Sequence, residues 1–232
     1  TSMKRLHQII LFWLLLMIVS QSAAAMIISP VIIDAYDVHV GDQFTLTLIN
    51  TDEDWQKVSL DLGLFTLRED GTVELDDTYT ARQQAKHYVI INESNYVLQP
   101  GEQQIVTIEI QNQDFSAASL VLFVKKHGEQ LSSRMAVLLL FSTTGPDQYI
   151  QVSEINLSNV HLTLTLTNPN PCHVFFGGNM ELRRSNGSRE VISMSPVLIL
   201  ANTQRTIQLP VASDTEQITL YSTFLAEQVS WP

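Results

Sequence analysis

The chain has 232 residues, with 24 acidic against 13 basic side chains and a formal net charge of −11. That balance argues against nucleic acid as a partner, because phosphate binding needs a basic face, and it suits a soluble exported protein. A single cysteine, Cys172, excludes an internal disulfide, so the fold must rest on its cores.

Thr1 and Ser2 stand ahead of Met3 as a cloning remnant, and Lys4, Arg5 and His7 form a positive leader. Residues 9–19 (IILFWLLLMIV) are unbroken apolar, and residues 20–25 (SQSAAA) offer small side chains at an Ala-x-Ala site. The apolar run is shorter than the roughly 20 residues a membrane span needs. Residues 1–25 therefore read as a secretory signal peptide with cleavage after Ala25, and no later run is long enough for a second anchor.

From residue 26 onward helical periodicity is nearly absent. Short apolar runs alternate with turn signals at the spacing of a β-sandwich. Residues 26–35 (MIISPVIIDA) are a first strand, interrupted by Pro30; proline removes a ladder donor, so the strand sits at an edge or switches sheets there. Residues 43–50 (QFTLTLIN) and 57–67 (KVSLDLGLFTL) alternate apolar and polar, and Asp70-Gly71 marks a hairpin after the second. Residues 80–86 (TARQQAK) are the one plausible helical segment. Strands at 88–91, 97–98 and 104–110 follow.

Residues 119–143 (SLVLFVKKHGEQLSSRMAVLLLFST) read as two strands joined by a turn at His127-Gly128-Glu129. The second is apolar on both faces: Met135, Val137, Leu139 and Phe141 on one, Ala136, Leu138 and Leu140 on the other. A sandwich strand with one wet face alternates instead. This strand needs cover on both sides, from its own domain and from either a second domain or a partner protein.

Residues 143–148, with Gly145-Pro146, read as a linker between a first domain at 26–142 and a second at 149–232. In the second, strands are expected at 151–157, 159–168, 174–183, 191–194, 197–201, 206–210 and 217–224. Gly177-Gly178 marks a bulge and Asn186-Gly187 a hairpin. The fold class is all-β: two immunoglobulin-like sandwiches in tandem after a signal peptide.

Short patterns resemble the PapD-like periplasmic chaperones of pilus assembly. Ile28-Ser29-Pro30-Val31 is similar to that family's opening strand, and Asn50 to the residue closing its second. Residues 96–108 (YVLQPGEQQIVTI) resemble its L-x-P-G-x-x-Q-x-V-x-I stretch. Residues 119–141 resemble its long hairpin, and Asn168-Pro169-Asn170-Pro171 its N-P-T-P turn, with Cys172 and His173 replacing the aromatic residue. The resemblance implies a periplasmic protein that stabilises an exported pilin-like or surface subunit by donating a strand, with an outer-membrane usher as a possible further partner.

The same resemblance implies that Met135, Val137, Leu139 and Phe141 are the donor face, chosen over Ala136, Leu138 and Leu140 because larger side chains fill a groove better. It also implies a basic anchor for the subunit's terminal carboxylate. The family uses an Arg on the first strand and a Lys on the last. Residues 26–35 hold no basic side chain, so Arg134, Lys125 and Lys126 are the candidates. The alternative is a structural or adhesive surface protein of two immunoglobulin-like modules.

Other chemistry is weakly signalled. The histidines 39, 87, 127, 161 and 173 show no metal-ligand spacing, and no G-x-S-x-G elbow or phosphate loop occurs. Cys172 reads as a small buried hydrophobe. Asp76-Asp77 and Glu53-Asp54 read as solvated turn charge. Asn92, Asn156 and Asn186 match the glycosylation sequon by chance. No cofactor, metal, nucleic acid, small-molecule substrate or catalysis is expected.

Overall fold

The computed structural model describes residues 26–128, 132–158, 160–225 and 229–231. The signal-peptide reading and the Glu129 end of the expected turn lie outside them. Among the described residues the chain forms seventeen strands and one helix, arranged as two β-sandwiches.

The opening ten residues become two strands, β1 (Met26–Ser29) and β2 (Ile32–Ala35). β1 pairs with β3 (Gln43–Asn50) at the edge of one sheet, and β2 lies at the edge of the other. The chain changes sheets at Pro30, where the missing N–H breaks the ladder at least cost. The first sheet continues from β3 to β8 (Gln103–Ile110) and β6 (Val89–Ile91).

The second sheet runs β2, β10 (Ser133–Ser142), β9 (Ala117–His127), β4 (Gln56–Leu67) and β5 (Val73–Asp76), with β7 (Asn95–Leu98) also on β4. Every second residue points between the sheets, giving a core that includes Leu46, Leu62, Val106, Leu122 and Leu139. Asn50, fully buried, donates through Nδ2 to the carbonyls of Asp54, Leu98 and Gln99 and so ties three connections together.

The helical segment is α1 (Tyr79–Tyr88), slightly longer than 80–86. Thr78 caps it by accepting from the Ala81 N–H at 3.3 Å. Ala81 and Ala85 face the protein, while Arg82 and Lys86 lean over β4 and pair with Asp61.

The second sandwich packs β11 (Gln151–Leu157), β12 (His161–Thr167) and β15 (Gln204–Pro210) against β14 (Arg189–Ile199), β13 (Val174–Arg184), β16 (Thr215–Tyr221) and β17 (Val229–Trp231). The register of β13 slips between Phe176 and Gly178, at the expected bulge. A Cβ on Gly178 would lie 2.1 Å from the Tyr221 carbonyl oxygen, so only glycine allows that approach. The strands expected at 191–194 and 197–201 are one, β14, running through Pro196 on a sheet edge. β17 was not expected.

Candidate functional site

β10 is the strand that needed cover, and the structure shows where each face goes. It pairs antiparallel with β9 along its whole length, from Ser133 opposite Lys126 to Ser142 opposite Ala117. β2 pairs with it in parallel only from Leu138 to Phe141. Residues 133–137 therefore have a strand neighbour on one side and an open edge on the other. The Leu138 N–H donates to Val31 at 3.1 Å, toward the β2 side. Main-chain groups of a strand alternate in direction, so those of Arg134 and Ala136 point out of the open edge.

The side chains that the resemblance implies as the donor face turn inward instead. Val137, Leu139 and Phe141 are at most 1 % exposed and lie in the core of the first sandwich. The Phe141 ring sits 4.8 Å from that of Phe44 on the facing sheet. Met135 is half-buried against the same core. These four side chains hold the first domain together, and three of them cannot meet a partner in the folded monomer.

The opposite face is covered by the second domain. Phe65, Val121, Phe123 and Leu140 cluster with Leu200, and Leu138, Leu198, Phe175 and Leu67 pack around them. Of the two covers that the doubly apolar strand could have, a domain or a partner, it is the second domain that seals Leu140. Of the β10 side chains on this outer face, only Arg134 and Ala136, nearer the open edge, are exposed.

Polar contacts fix the same seam. The Tyr36 ring stacks on His173 at 4.7 Å, and its hydroxyl donates to the His173 carbonyl at 3.1 Å. The His173 ring also joins Ser142 Oγ through Nδ1, at 3.1 Å, and Asp34 through Nε2. Burial, then the Asp34 charge, pushes the Tyr36 phenol up. A row of Asp, His and Ser has the composition of a nucleophilic triad. Ser142 and His173 are at most 1 % exposed, however, and lie buried in the seam between the two domains. Cys172 is fully buried beside this seam, and burial pushes its thiol up to about 11.

Further along the seam, the Thr206 N–H donates to Glu69 at 2.7 Å. The Arg205 guanidinium lies on the Gly71 face of the β4–β5 turn and donates to the Leu198 carbonyl at 2.9 Å. Asn170 pins the linker by accepting from the N–H groups of Asp147 and Gln148.

The basic candidates separate by strand parity. Lys126 points to the core side and pairs with Asp52 at 2.5 Å, both side chains nearly buried. It is a structural ion pair and not an anchor beside Arg134. Lys125 and Arg134, one residue off, point to the outer face and are Cα partners across β9 and β10. They share a shallow cavity of about 360 Å³ with Arg82, Asp61, Asp77, Phe123, Ser59 and His127. The Arg134 guanidinium lies 3.4 Å over the Phe123 ring and 2.8 Å from Asp77. Arg82 was not legible as a member, because only the docking of α1 on β4 brings it there. Among the described residues no group of three or more His, Cys, Asp or Glu is placed to hold a metal ion.

Two tandem sandwiches with an opening strand that crosses between sheets recur in known structures. A chain in the chaperone–tip adhesion subunit pre-assembly complex CsuC–CsuE, from archaic chaperone-usher Csu pili of Acinetobacter baumannii, superposes with a TM-score of 0.53 at 11 % identity, covering 90 % of this chain and 97 % of that one. A chain in the Salmonella enterica SafA pilin–SafB chaperone complex gives 0.54 at 11 %, covering 91 % and 98 %. The class 5 fimbriae chaperone CfaA gives 0.53 at 9 %, covering 89 % and 98 %.

The chain has the PapD-like fold of two β-sandwiches. No protein-family model and no curated protein matches its sequence. In this PapD-like fold the first strand is without a basic side chain, and Ile32 stands opposite Leu138 in the parallel register of β2 and β10.

Proposed function

We propose that the protein is a periplasmic, chaperone-like factor that binds an exported pilin-like or other surface subunit without catalysis, by strand addition at the open edge of β10. The observation that carries this is the half-partnered strand. Residues 133–137 present the main-chain groups of Arg134 and Ala136 to solvent, while β2 covers only the second half of the strand. An open edge is a template for another polypeptide, with main-chain hydrogen bonds supplying affinity. The likeness to chaperones solved with subunits supports the same reading.

In this proposal the donated surface differs from the one the family resemblance implies. Val137, Leu139 and Phe141 stay in the core, and the edge offers main chain, Ala136 and the exposed part of Met135. The signal peptide delivers the protein to the compartment where such subunits pass, and an usher is a possible later partner.

The test replaces Ala136 with proline. Its N–H points outward, so the exchange removes an edge donor and no β9 bond, and proline is tolerated at such positions. The tagged protein is purified from its native cell envelope and stoichiometric partners are identified by mass. An exported immunoglobulin-like subunit held by the natural protein and lost from a folded Ala136→Pro variant is the expected result. A partner retained by the variant, or no exported partner at all, overturns the reading.

A further inference from the structure

Lys125 and Arg134 are directly opposite each other on one antiparallel pair, on the same face, and both are exposed. Like charges in that position destabilise a sheet. Among the described residues the neighbourhood does not neutralise them. Asp61 and Asp77 are shared among Arg82, Lys86 and Arg134, so four cations, counting Lys125, stand against two carboxylates. The Lys125 ammonium makes no hydrogen bond or ion pair among the described residues, and Arg134 spends one nitrogen on Asp77. Its guanidinium carbon lies 3.4 Å over the Phe123 ring, and Asp77 is its one ion-pair partner among the described residues. This excess of positive charge occurs in a chain whose formal net charge is −11.

The position of the pair gives it meaning. Arg134 lies within the open half of β10, so a strand added there would place every second side chain on this outer face, about 5 Å from Arg134 at the directly opposed position. We infer that the strand accepted by β10 carries an Asp or Glu side chain opposite Arg134, whose carboxylate enters the cavity and is shared by Arg134 and Lys125. This deepens the strand-addition reading and rests on it. The cationic pair then selects among partners and sets register, since a slip of one residue moves the acid to the other face. Because Asp61 and Asp77 oppose any second negative charge, the site takes one carboxylate and not an acidic run.

The test uses three nine-residue peptides of alternating Thr and Val with amidated C-termini. One has a central Glu, one a central Gln, and the third has Gln with a free terminal carboxylate. Binding is measured at low salt by fluorescence anisotropy, and the position by amide shifts of Arg134 and Ala136 in labelled protein. The Glu peptide is expected to bind about tenfold tighter than the Gln peptide, the scale of one charge-assisted hydrogen bond. The preference should fall below about twofold in Lys125→Gln/Arg134→Gln and persist in Arg189→Gln, on the second domain. Equal binding of the Glu and Gln peptides at the edge overturns the acid-site inference and leaves strand addition standing. A preference for the free terminal carboxylate alone overturns the side-chain assignment. Binding of none of the three removes strand addition and this inference together.

Discussion

Leu139 and Leu140 are neighbours on β10, both without solvent exposure, and serve different cores. Leu139 points between the sheets of the first sandwich; Leu140 points to the seam with Leu200. Truncating a fully buried leucine to alanine costs about 2–5 kcal/mol, from lost transfer energy and the cavity left behind. For Leu139→Ala, central in a large two-sheet core, we expect about 3 kcal/mol against the first domain. With an m-value of about 1–3 kcal/mol/M in urea, that lowers its unfolding midpoint by roughly 1–3 M. Leu140→Ala sits in a smaller cluster to which both domains contribute. Its cost falls on the coupling between them, so one transition should separate into two.

The assay is urea unfolding followed by far-UV circular dichroism, with tryptophan fluorescence read in a Trp231→Phe background so that Trp55 reports on the first domain. If Leu139 were held in reserve for a partner, Leu139→Ala would unfold within about 0.5 kcal/mol of the natural protein, as exposed positions do. That result would refute the assignment of Val137, Leu139 and Phe141 to the core. A single unsplit transition in Leu140→Ala would refute the role given to the seam.

Lys126→Ala leaves Asp52 nearly buried without its cation, and unpairing a buried charge costs about 3–5 kcal/mol, whereas Lys125→Ala on the exposed face should stay within about 0.5 kcal/mol; thermal unfolding of the two variants side by side checks this. Gly71 has φ +86°, and a Cβ there would meet the Arg205 guanidinium, while Gly101 has φ +75° and open space around it. Both alanine variants bear the left-handed backbone penalty of about 1–2 kcal/mol, and Gly71→Ala should lose about 1 kcal/mol more if Arg205 gives up its bond to the Leu198 carbonyl. Equal melting temperatures would exclude a role for that contact.

With its thiol pushed up to about 11 by burial, Cys172 is almost entirely protonated at pH 8, so iodoacetamide should label the folded protein orders of magnitude more slowly than the urea-unfolded chain. The folded state then holds this proton more tightly than the unfolded state. The corresponding stability is complete below about pH 9 and is lost as pH rises through about 11. Rapid labelling of folded protein would overturn this placement of Cys172.

Much of the fold was written in local pattern. Alternation in QFTLTLIN fixed β3, Asp70-Gly71 and Asn186-Gly187 fixed two hairpins, Gly177-Gly178 marked the bulge, and Pro30 marked the change of sheet. Each is a local consequence of a side-chain period of two or of a backbone only glycine or proline accommodates. The residues of β10 likewise announced that both faces must be covered. They could not say by what, because period two separates the faces without naming which turns inward. Only the packing of two sheets put Val137, Leu139 and Phe141 in the core, and only the docking of the second domain put Leu200 against Leu140. The same parity sent Lys126 to Asp52 and Lys125 to Arg134, and the docking of α1 brought Arg82 beside them. Spacing along the chain defines sides of a strand, but what lies across from each side is decided by elements far away in sequence.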